Sequence, residues 1–179
     1  MTTTPSQPER RTTVIRRGLD LLSRRDHFTG DLANRLTEAG FPAEEVTEAV
    51  ETLRSQGLLD DQRLANHQVR RWRSEGRSEA ECRARLAARE VPAGIIDETI
   101  RLETETTAPE DDPDLAPDLK AAIKVLGKAM GSGGSPPSPT RLAPRLARRG
   151  FDPDTIRAAL RHYGLDDSGI EPEAGVPPP

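Results

Sequence analysis

The stretch LTEAGFPAEEV at residues 36–46 has the same apolar frame as LAAREVPAGII at 86–96 and LARRGFDPDTI at 146–156. The second stretch follows the first by 50 residues, and the third follows the second by 60. Self-similarity at such spacings indicates a chain built from tandem structural repeats, each of which is one small supersecondary unit. The fold is therefore best predicted one repeat at a time.

Each copy places five apolar residues at matching positions. They are Leu32, Leu36, Phe41, Val46 and Val50 in the first copy, Cys82, Leu86, Val91, Ile96 and Ile100 in the second, and Leu142, Leu146, Phe151, Ile156 and Leu160 in the third. Within a copy, a step of four marks one face of a helix, a step of five crosses a turn, and a step of four resumes in the next helix. We expect these residues to form the cores of the repeats.

The turn and cap residues agree with this frame. Gly40 and Gly150 stand where the first helix of each pair should end, as glycines commonly do. Glu90 replaces that glycine in the second copy, so we expect that turn to differ slightly. Proline follows soon after, at positions 42, 92 and 153, where a new helix can start.

Three helix starts have recognisable capping residues. Asp60 and Asp152 are natural N-caps, and Ser78 with Glu81 matches the capping box, in which each residue satisfies a backbone amide of the first turn. Asp60 is followed by a second aspartate, Asp61. A metal site could use this pair of carboxylates, but a helix start explains both more simply, because anions are favoured at that end of the macrodipole.

A further helix precedes each pair. The segments are VIRRGLDLLSRR (14–25), DQRLANHQVRRWRSEG (61–76) and DLKAAIKVLGKAM (118–130), each with an apolar stripe at helical spacing. One unit of three short helices has too little apolar surface to fold well alone, so neighbouring units must stack. The sequence therefore predicts an all-α fold of three tandem three-helix repeats that form an elongated, curved, solenoid-like array.

The composition divides the chain further. We predict repeats at 12–59, 60–104 and 118–164, joined by an acidic linker at 105–117, with a flexible Gly/Ser/Pro-rich loop at 131–140 in the third repeat. Residues 1–11 and 165–179 are predicted to be disordered tails.

The composition also excludes several classes of protein. Only 34% of the 179 residues are hydrophobic and 3% are aromatic, which argues against one large core. A single cysteine, Cys82, rules out an intrachain disulfide, and the three histidines are scattered, so we expect no metal site. No catalytic or nucleotide-binding motif is present, which predicts no catalytic residues and no cofactor. Without a signal peptide or a long apolar run, we expect a cytoplasmic monomer that does not contact a membrane.

Arginines are clustered in the second and third repeats. The candidate partner-binding residues are Arg70, Arg71, Arg73, Arg77, Arg85, Arg89, Arg141, Arg145, Arg148 and Arg149. Residues 141–163 alone hold six arginines against two acids, a plausible contact for an acidic protein surface or for phosphate. The alternative for any one of them is a solvated helix face with i, i+4 ion pairs. Trp72 and Cys82 are expected to be buried, although Trp72 could instead be an exposed hot spot.

Residues 16–69 resemble the RecX family, bacterial regulators of the RecA recombinase. The resemblance is most specific in GLLDDQRLA at 57–65, at the junction of the first two repeats, and it extends over about residues 12–164. It implies a non-enzymatic protein that binds in the groove of RecA–DNA filaments and limits filament extension, ATPase activity and strand exchange in recombination and the SOS response. Weak contact with single- or double-stranded DNA is a possible addition.

Two other functions stay open on the residues alone. One is a direct DNA-binding protein whose units act like helix-turn-helix modules. The net charge of −4 and the acidic AEEVTEAVETL segment at 43–53 argue mildly against it. The other is an α-helical adaptor without a filament partner.

Overall fold

The structure, a computed structural model, describes residues 7–106, 115–131 and 138–165, with side chains from residue 11 onward. These residues form helices and connecting turns, without a strand. The helices are α1 (Gln7–Leu22), α2 (Thr29–Glu38), α3 (Ala43–Ser55), α4 (Asp61–Ser74), α5 (Glu79–Ala87), α6 (Ala93–Thr106), α7 (Pro117–Met130), α8 (Pro139–Ala147) and α9 (Pro153–His162). The predicted all-α fold of three-helix repeats is confirmed, whereas the elongated, curved outline stays a prediction.

The apolar frame lies inside the repeats. Of the fifteen frame residues, fourteen are buried, and Phe41 is half-buried against the core of the first repeat. In that repeat α1 and α2 both pack on α3, and in the third repeat α7 and α8 both pack on α9. In both repeats the third helix therefore packs against the other two, because its apolar face contacts the apolar faces of its neighbours.

The turn between the second and third helices is the same in all three repeats. The amide of Gly40 donates to the carbonyl of Thr37 (2.9 Å) and that of Phe41 to Leu36 (3.3 Å), the two bonds of a Schellman motif. Gly150 and Phe151 repeat this pattern. Glu90 also takes the left-handed conformation, with a φ of 57°.

The expectation that the Glu90 turn would differ is therefore wrong. Its amide donates to Ala87 and the amide of Val91 donates to Leu86, as in the other two turns. A left-handed conformation costs a residue with a side chain roughly 1–2 kcal/mol, which this turn bears because the packing of Leu86 and Val91 holds it in place.

Some predicted boundaries are corrected. Helix α1 begins at Gln7, so residues 7–11 are helical and do not belong to a disordered tail. Proline at position 8 is compatible with a helix there, because the first-turn amides have no partner within the helix. The predicted linker is shortened at both ends, since α6 ends at Thr106 and α7 begins at Pro117. Three predicted segments lie partly or wholly outside the described residues: the centre of that linker, the loop at residues 132–137, and the tail at residues 166–179.

The three predicted N-caps are confirmed. The carboxylate of Asp60 accepts from the amide of Arg63 (2.9 Å), and the hydroxyl of Ser78 accepts from that of Glu81 (3.1 Å). Asp152 accepts from the amides of Asp154 and Thr155, both at 2.9 Å. Hydrogen bonds from Thr155 are the main reason that the pKa of Asp152 lies below its usual value.

Contacts divide the chain into two compact units that do not follow the repeat boundaries. One unit contains Met1–Arg71 and Cys82–Thr106, and the other contains Trp72–Glu81 and Thr107–Pro179. The end of α4, the turn after it and the start of α5 thus group with the third repeat. In sequence these residues belong to the second repeat, but by their contacts they form one compact unit with the third repeat.

We expect Gly150→Ala to destabilise the protein more than Gly40→Ala. Both glycines have positive φ, 86° and 91°, so each alanine should cost roughly 1–2 kcal/mol of the free energy of unfolding. A Cβ at Gly40 meets nothing within 4 Å, whereas one at Gly150 would lie 2.5 Å from Oγ of Ser78 and 2.7 Å from Cβ of Glu81. Overpacking should add about 1–3 kcal/mol there. Urea unfolding of both variants measures the difference, and equal losses would contradict the close approach.

Candidate partner-binding surface

The start of α2 is capped by a residue of the following repeat. The amide of Thr29, the first residue of α2, donates to a carboxylate oxygen of Asp61 at 2.8 Å. First-turn amides have no partner within their own helix, and the preceding residue, Phe28, offers no side-chain cap. Asp61 lies in the first turn of α4, so one carboxylate ties the first two repeats together.

The start of α5 is capped in the same way. The amide of Glu79, the first residue of α5, donates to both carboxylate oxygens of Asp118, at 3.0 and 3.2 Å. Glu79 follows Thr29 by 50 residues, and Asp118 follows Asp61 by 57. Asp118 lies in the first turn of α7, so it corresponds to Asp61 one repeat later. We call these two contacts the aspartate locks.

Asp118 also holds a cation. Its carboxylate pairs with the guanidinium of Arg73, whose side chain is only 12% exposed. The same guanidinium donates to the carbonyl of Arg77 at 2.8 Å, so it spans the turn between α4 and α5. Arg77 in turn lies 3.5 Å from the carboxylate of Glu81 and 3.6 Å from that of Glu75. Arg73 and Arg77 were predicted as partner-binding residues, but here both belong to a polar junction within the protein.

Arg149 joins the same junction. Its guanidinium donates to the carbonyl of Glu75, and its own carbonyl accepts from the amide of Ser78 at 3.0 Å. Burial is the main cause that lowers its pKa from the usual arginine value, with smaller contributions from Arg145 and Arg77 that Glu75 opposes. A guanidinium already used in this way is poorly available to a partner.

Two arginines of α8, and a third at its C-cap, lie outside this junction. Arg141, Arg145 and Arg148 are exposed and follow one another at i, i+4 and i+7, on a different face from buried Leu142 and Leu146. Within the described part of the chain, none of the three has an ion pair. We call this set the arginine face. Its helical backbone fixes the spacing of the three charges, which suits recognition of a patterned anionic surface.

The remaining predicted arginines lie in the first unit. Arg70 is 66% exposed and its Nε lies 3.7 Å from a carboxylate oxygen of Glu103. The guanidinium of Arg89 lies over the ring of Phe28 at 6.0 Å from the centroid. Arg71 is exposed and Arg85 is half-buried. Their roles as contacts stay predictions. Among the ten predicted arginines, those of the arginine face are exposed and have no ion pair with another described residue.

The other residues considered as candidate sites have structural roles in the described part of the chain. Asp60 and Asp61 each cap a helix, which leaves neither as an obvious metal ligand. Among residues 7–106, 115–131 and 138–165, no group of three or more His, Cys, Asp or Glu side chains is placed to hold a metal ion. Cys82 and Trp72 are buried, as predicted. None of the described helices has the length and apolar character needed to cross a bilayer.

One part-buried polar pair was missed by sequence reasoning. His27, 5% exposed, has its Nδ1 2.8 Å from a carboxylate oxygen of Asp31. Burial by itself would raise the pKa of Asp31, but the hydrogen bond from His27 and the nearby charge of Arg35 outweigh it, so that pKa is lowered. His27 and Asp31 stand where Arg77 and Glu81 stand in the second repeat. An i, i+4 pair of a basic and an acidic residue at this place was the available signal.

Comparison with known proteins agrees with this architecture. The model of the RecX first three-helix domain matches residues 15–53. Regulatory protein RecX of Chromohalobacter salexigens is 33% identical over 143 residues, which cover 79% of this chain and 87% of that protein. Regulatory protein RecX of Stenotrophomonas maltophilia is 34% identical over 164 residues, which cover 88% of this chain and 91% of that protein.

The chain belongs to the RecX family. A crystal structure of RecX from Lactobacillus salivarius has the same fold, with a TM-score of 0.66 over 88% of this chain and 99% of that one, at 14% identity. A second crystal structure of regulatory protein RecX gives a TM-score of 0.64 at 20% identity, over 86% of this chain and 78% of that one. At such identities these two likenesses concern the RecX fold alone.

We expect Asp118→Ala to lower the free energy of unfolding by about 2–3 kcal/mol, because it unpairs the partly buried Arg73 and the amide of Glu79. Asp118→Asn should cost less, since its amide oxygen can still accept from Glu79. Urea unfolding followed by circular dichroism measures both.

Asp154→Ala is the matched control. Asp154 also pairs with an arginine, Arg157, but the two side chains are 87% and 67% exposed. Removing such a surface pair should change stability by no more than about 0.5 kcal/mol. If Asp118→Ala were as mild as this control, the polar junction would not stabilise the protein.

Proposed function

We propose that this RecX-family chain is a negative regulator of the RecA recombinase. In this proposal it binds in the groove of RecA–DNA filaments and limits their extension, their ATPase activity and strand exchange, in recombination and the SOS response. Family membership and the names of the curated relatives, which are regulatory proteins, support the regulatory role. It acts by binding in the cytoplasm and catalyses no reaction.

The observation that carries the proposal is the arginine face. A filament of protein on DNA presents carboxylates and phosphates, and exposed arginines bind either in bidentate fashion. The described residues of the third repeat, 115–131 and 138–165, hold nine Lys and Arg against three Asp, a net charge of +6. This local charge contrasts with the net charge of −4 for the whole chain. It directs an anionic partner to the third repeat.

Direct binding to bare DNA is the second candidate, and the same charge favours it. Two observations count against DNA as the sole partner. Single-stranded nucleic acid is held by stacking on exposed aromatic rings, yet Phe28, Phe151 and Trp72 are buried. The exposed side of α3 is also acidic, with Glu44 and Glu48 among its residues, and would repel phosphate.

The test is RecA's DNA-dependent ATPase with this protein titrated in. We expect inhibition at substoichiometric amounts. The variant Arg141→Glu/Arg145→Glu/Arg148→Glu should need about tenfold more protein or higher for the same inhibition, since each exposed contact contributes roughly 0.5–1 kcal/mol. These positions have no described ion pair, so the helical content should not change.

A charge-matched control reverses three exposed arginines of the first repeat, as Arg16→Glu/Arg17→Glu/Arg24→Glu. An equal loss in both triple variants would assign the effect to net charge and not to the arginine face. Failure of the unaltered chain to inhibit, together with tight binding to bare duplex, would support the second candidate instead.

A further inference from the structure

The third repeat is followed by a stretch of opposite charge. Residues 166–173 read DDSGIEPE and contain four carboxylates, at Asp166, Asp167, Glu171 and Glu173, with no basic residue. The stretch lies outside the described residues. It directly follows a repeat whose described part has a net charge of +6, so the two charges of opposite sign are neighbours in the chain.

The third repeat offers four arginines to these carboxylates. The arginine face supplies three, and Arg161 of α9 is the fourth, exposed and without an ion pair among the described residues. Other arginines nearby are already used: Arg157 pairs with Asp154, and Arg149 donates to the carbonyl of Glu75. The four available guanidiniums therefore equal the four carboxylates in number.

The start of the acidic stretch is fixed on the same repeat. Leu165 packs against the core of the third repeat, and its amide donates to the carbonyl of Leu160 at 3.0 Å. The hydroxyl of Tyr163 donates to the carbonyl of Ile123 at 3.1 Å and holds the end of α9 on α7. Eight residues beyond Leu165 can span up to about 26 Å, and the nine residues of α8 are only about 14 Å long.

We propose that the carboxylates of residues 166–173 bind the arginine face and Arg161 of the same chain and compete there with an anionic partner. That the partner is a RecA–DNA filament rests on the proposed function, but the intramolecular contact does not. The acidic stretch would act as a competitor that is always present, and its effect would be strongest at low ionic strength.

The expected strength is modest. Exposed ion pairs contribute roughly 0.2–1 kcal/mol each and are screened by salt. A short tether gives an effective concentration on the order of millimolar, which favours a contact too weak to form between separate molecules. The stretch should therefore weaken partner binding by about threefold to tenfold and not abolish it.

Arginine side-chain NMR on the full chain tests the contact itself. The tail variant is Asp166→Asn/Asp167→Asn/Glu171→Gln/Glu173→Gln, which keeps length and hydrogen-bonding capacity. We expect it to shift the Nε–H resonances of the four arginines at low salt, with little difference at high salt. The control variant Glu38→Gln/Glu44→Gln/Glu48→Gln/Glu51→Gln removes the same number of charges from exposed positions of the first repeat and should leave those resonances in place.

A binding measurement tests the competition, with a fluorescein-labelled oligothymidylate as the polyanionic probe. The tail variant should bind it about threefold to tenfold more tightly than the unaltered chain at low salt, and the control variant should not. In a chain with Arg141, Arg145, Arg148 and Arg161 changed to Gln, neutralising the stretch should give no gain.

Several results would overturn the proposal. Unchanged resonances in the tail variant would exclude the contact. If the control variant, or the chain that lacks the four arginines, gained as much affinity for the probe, the effect would be explained by net charge and not by the proposed contact. Shifts produced only by neutralising Glu110, Asp111, Asp112 and Asp114 would assign the arginines to a different segment. If the unaltered chain did not inhibit RecA but the tail variant still shifted the arginine resonances, the proposed function would be contradicted and the intramolecular contact would be supported.

Discussion

The fold depends on how each repeat satisfies the first amide of its second helix. A helix leaves its first amides without partners, and Thr29 and Glu79 have no adequate local acceptor for theirs. In both cases an aspartate from the next repeat accepts, at 2.8 Å for Asp61 and at 3.0 Å for Asp118. The corresponding residue of the third repeat is Pro139, which has no amide hydrogen to satisfy. The second helix of the third repeat therefore has no first amide that a corresponding lock would satisfy.

The second lock also engages an arginine that was predicted to bind a partner. Asp118 attracts Arg73, and the same junction uses Arg77 and Arg149 through carbonyl and carboxylate contacts. These side chains join the third repeat to residues Trp72–Glu81, which belong to the same compact unit. Arg141, Arg145 and Arg148 lie outside this junction and are exposed. The arginines of the junction differ from those of the arginine face in burial and in partners, although the residue type is the same.

The sequence was sufficient to predict the repeat helices and three of their N-caps. The frame from Leu32 to Leu160 predicted the helices, and the capping roles of Asp60, Ser78 and Asp152 followed from the first-turn residues beside them. The locks could not be predicted in this way, because Asp61 and Thr29 are 32 residues apart and meet only through tertiary packing. A faint signal existed in the recurrence of aspartate at the start of α4 and α7.

The sequence also could not show which of the predicted partner-binding arginines are used within the protein, because that depends on tertiary packing. Composition cannot tell an arginine that faces solvent from one that crosses a turn, so Arg73, Arg77 and Arg149 were grouped with the arginine face. The turn at Glu90 was expected to differ because glycine is preferred there, but packing on both sides imposed the same left-handed conformation. In both cases tertiary contacts overrode a local preference.

Native-state hydrogen exchange tests the central claim most directly. First-turn amides normally exchange fast, because nothing within the helix protects them. The locks predict slow exchange at the amides of Thr29 and Glu79, with protection lost at Thr29 in Asp61→Ala and at Glu79 in Asp118→Ala. The amide of Glu44, in the first turn of α3, is the internal reference for an ordinary helix start. Exchange at Thr29 and Glu79 as fast as at Glu44 would contradict the account.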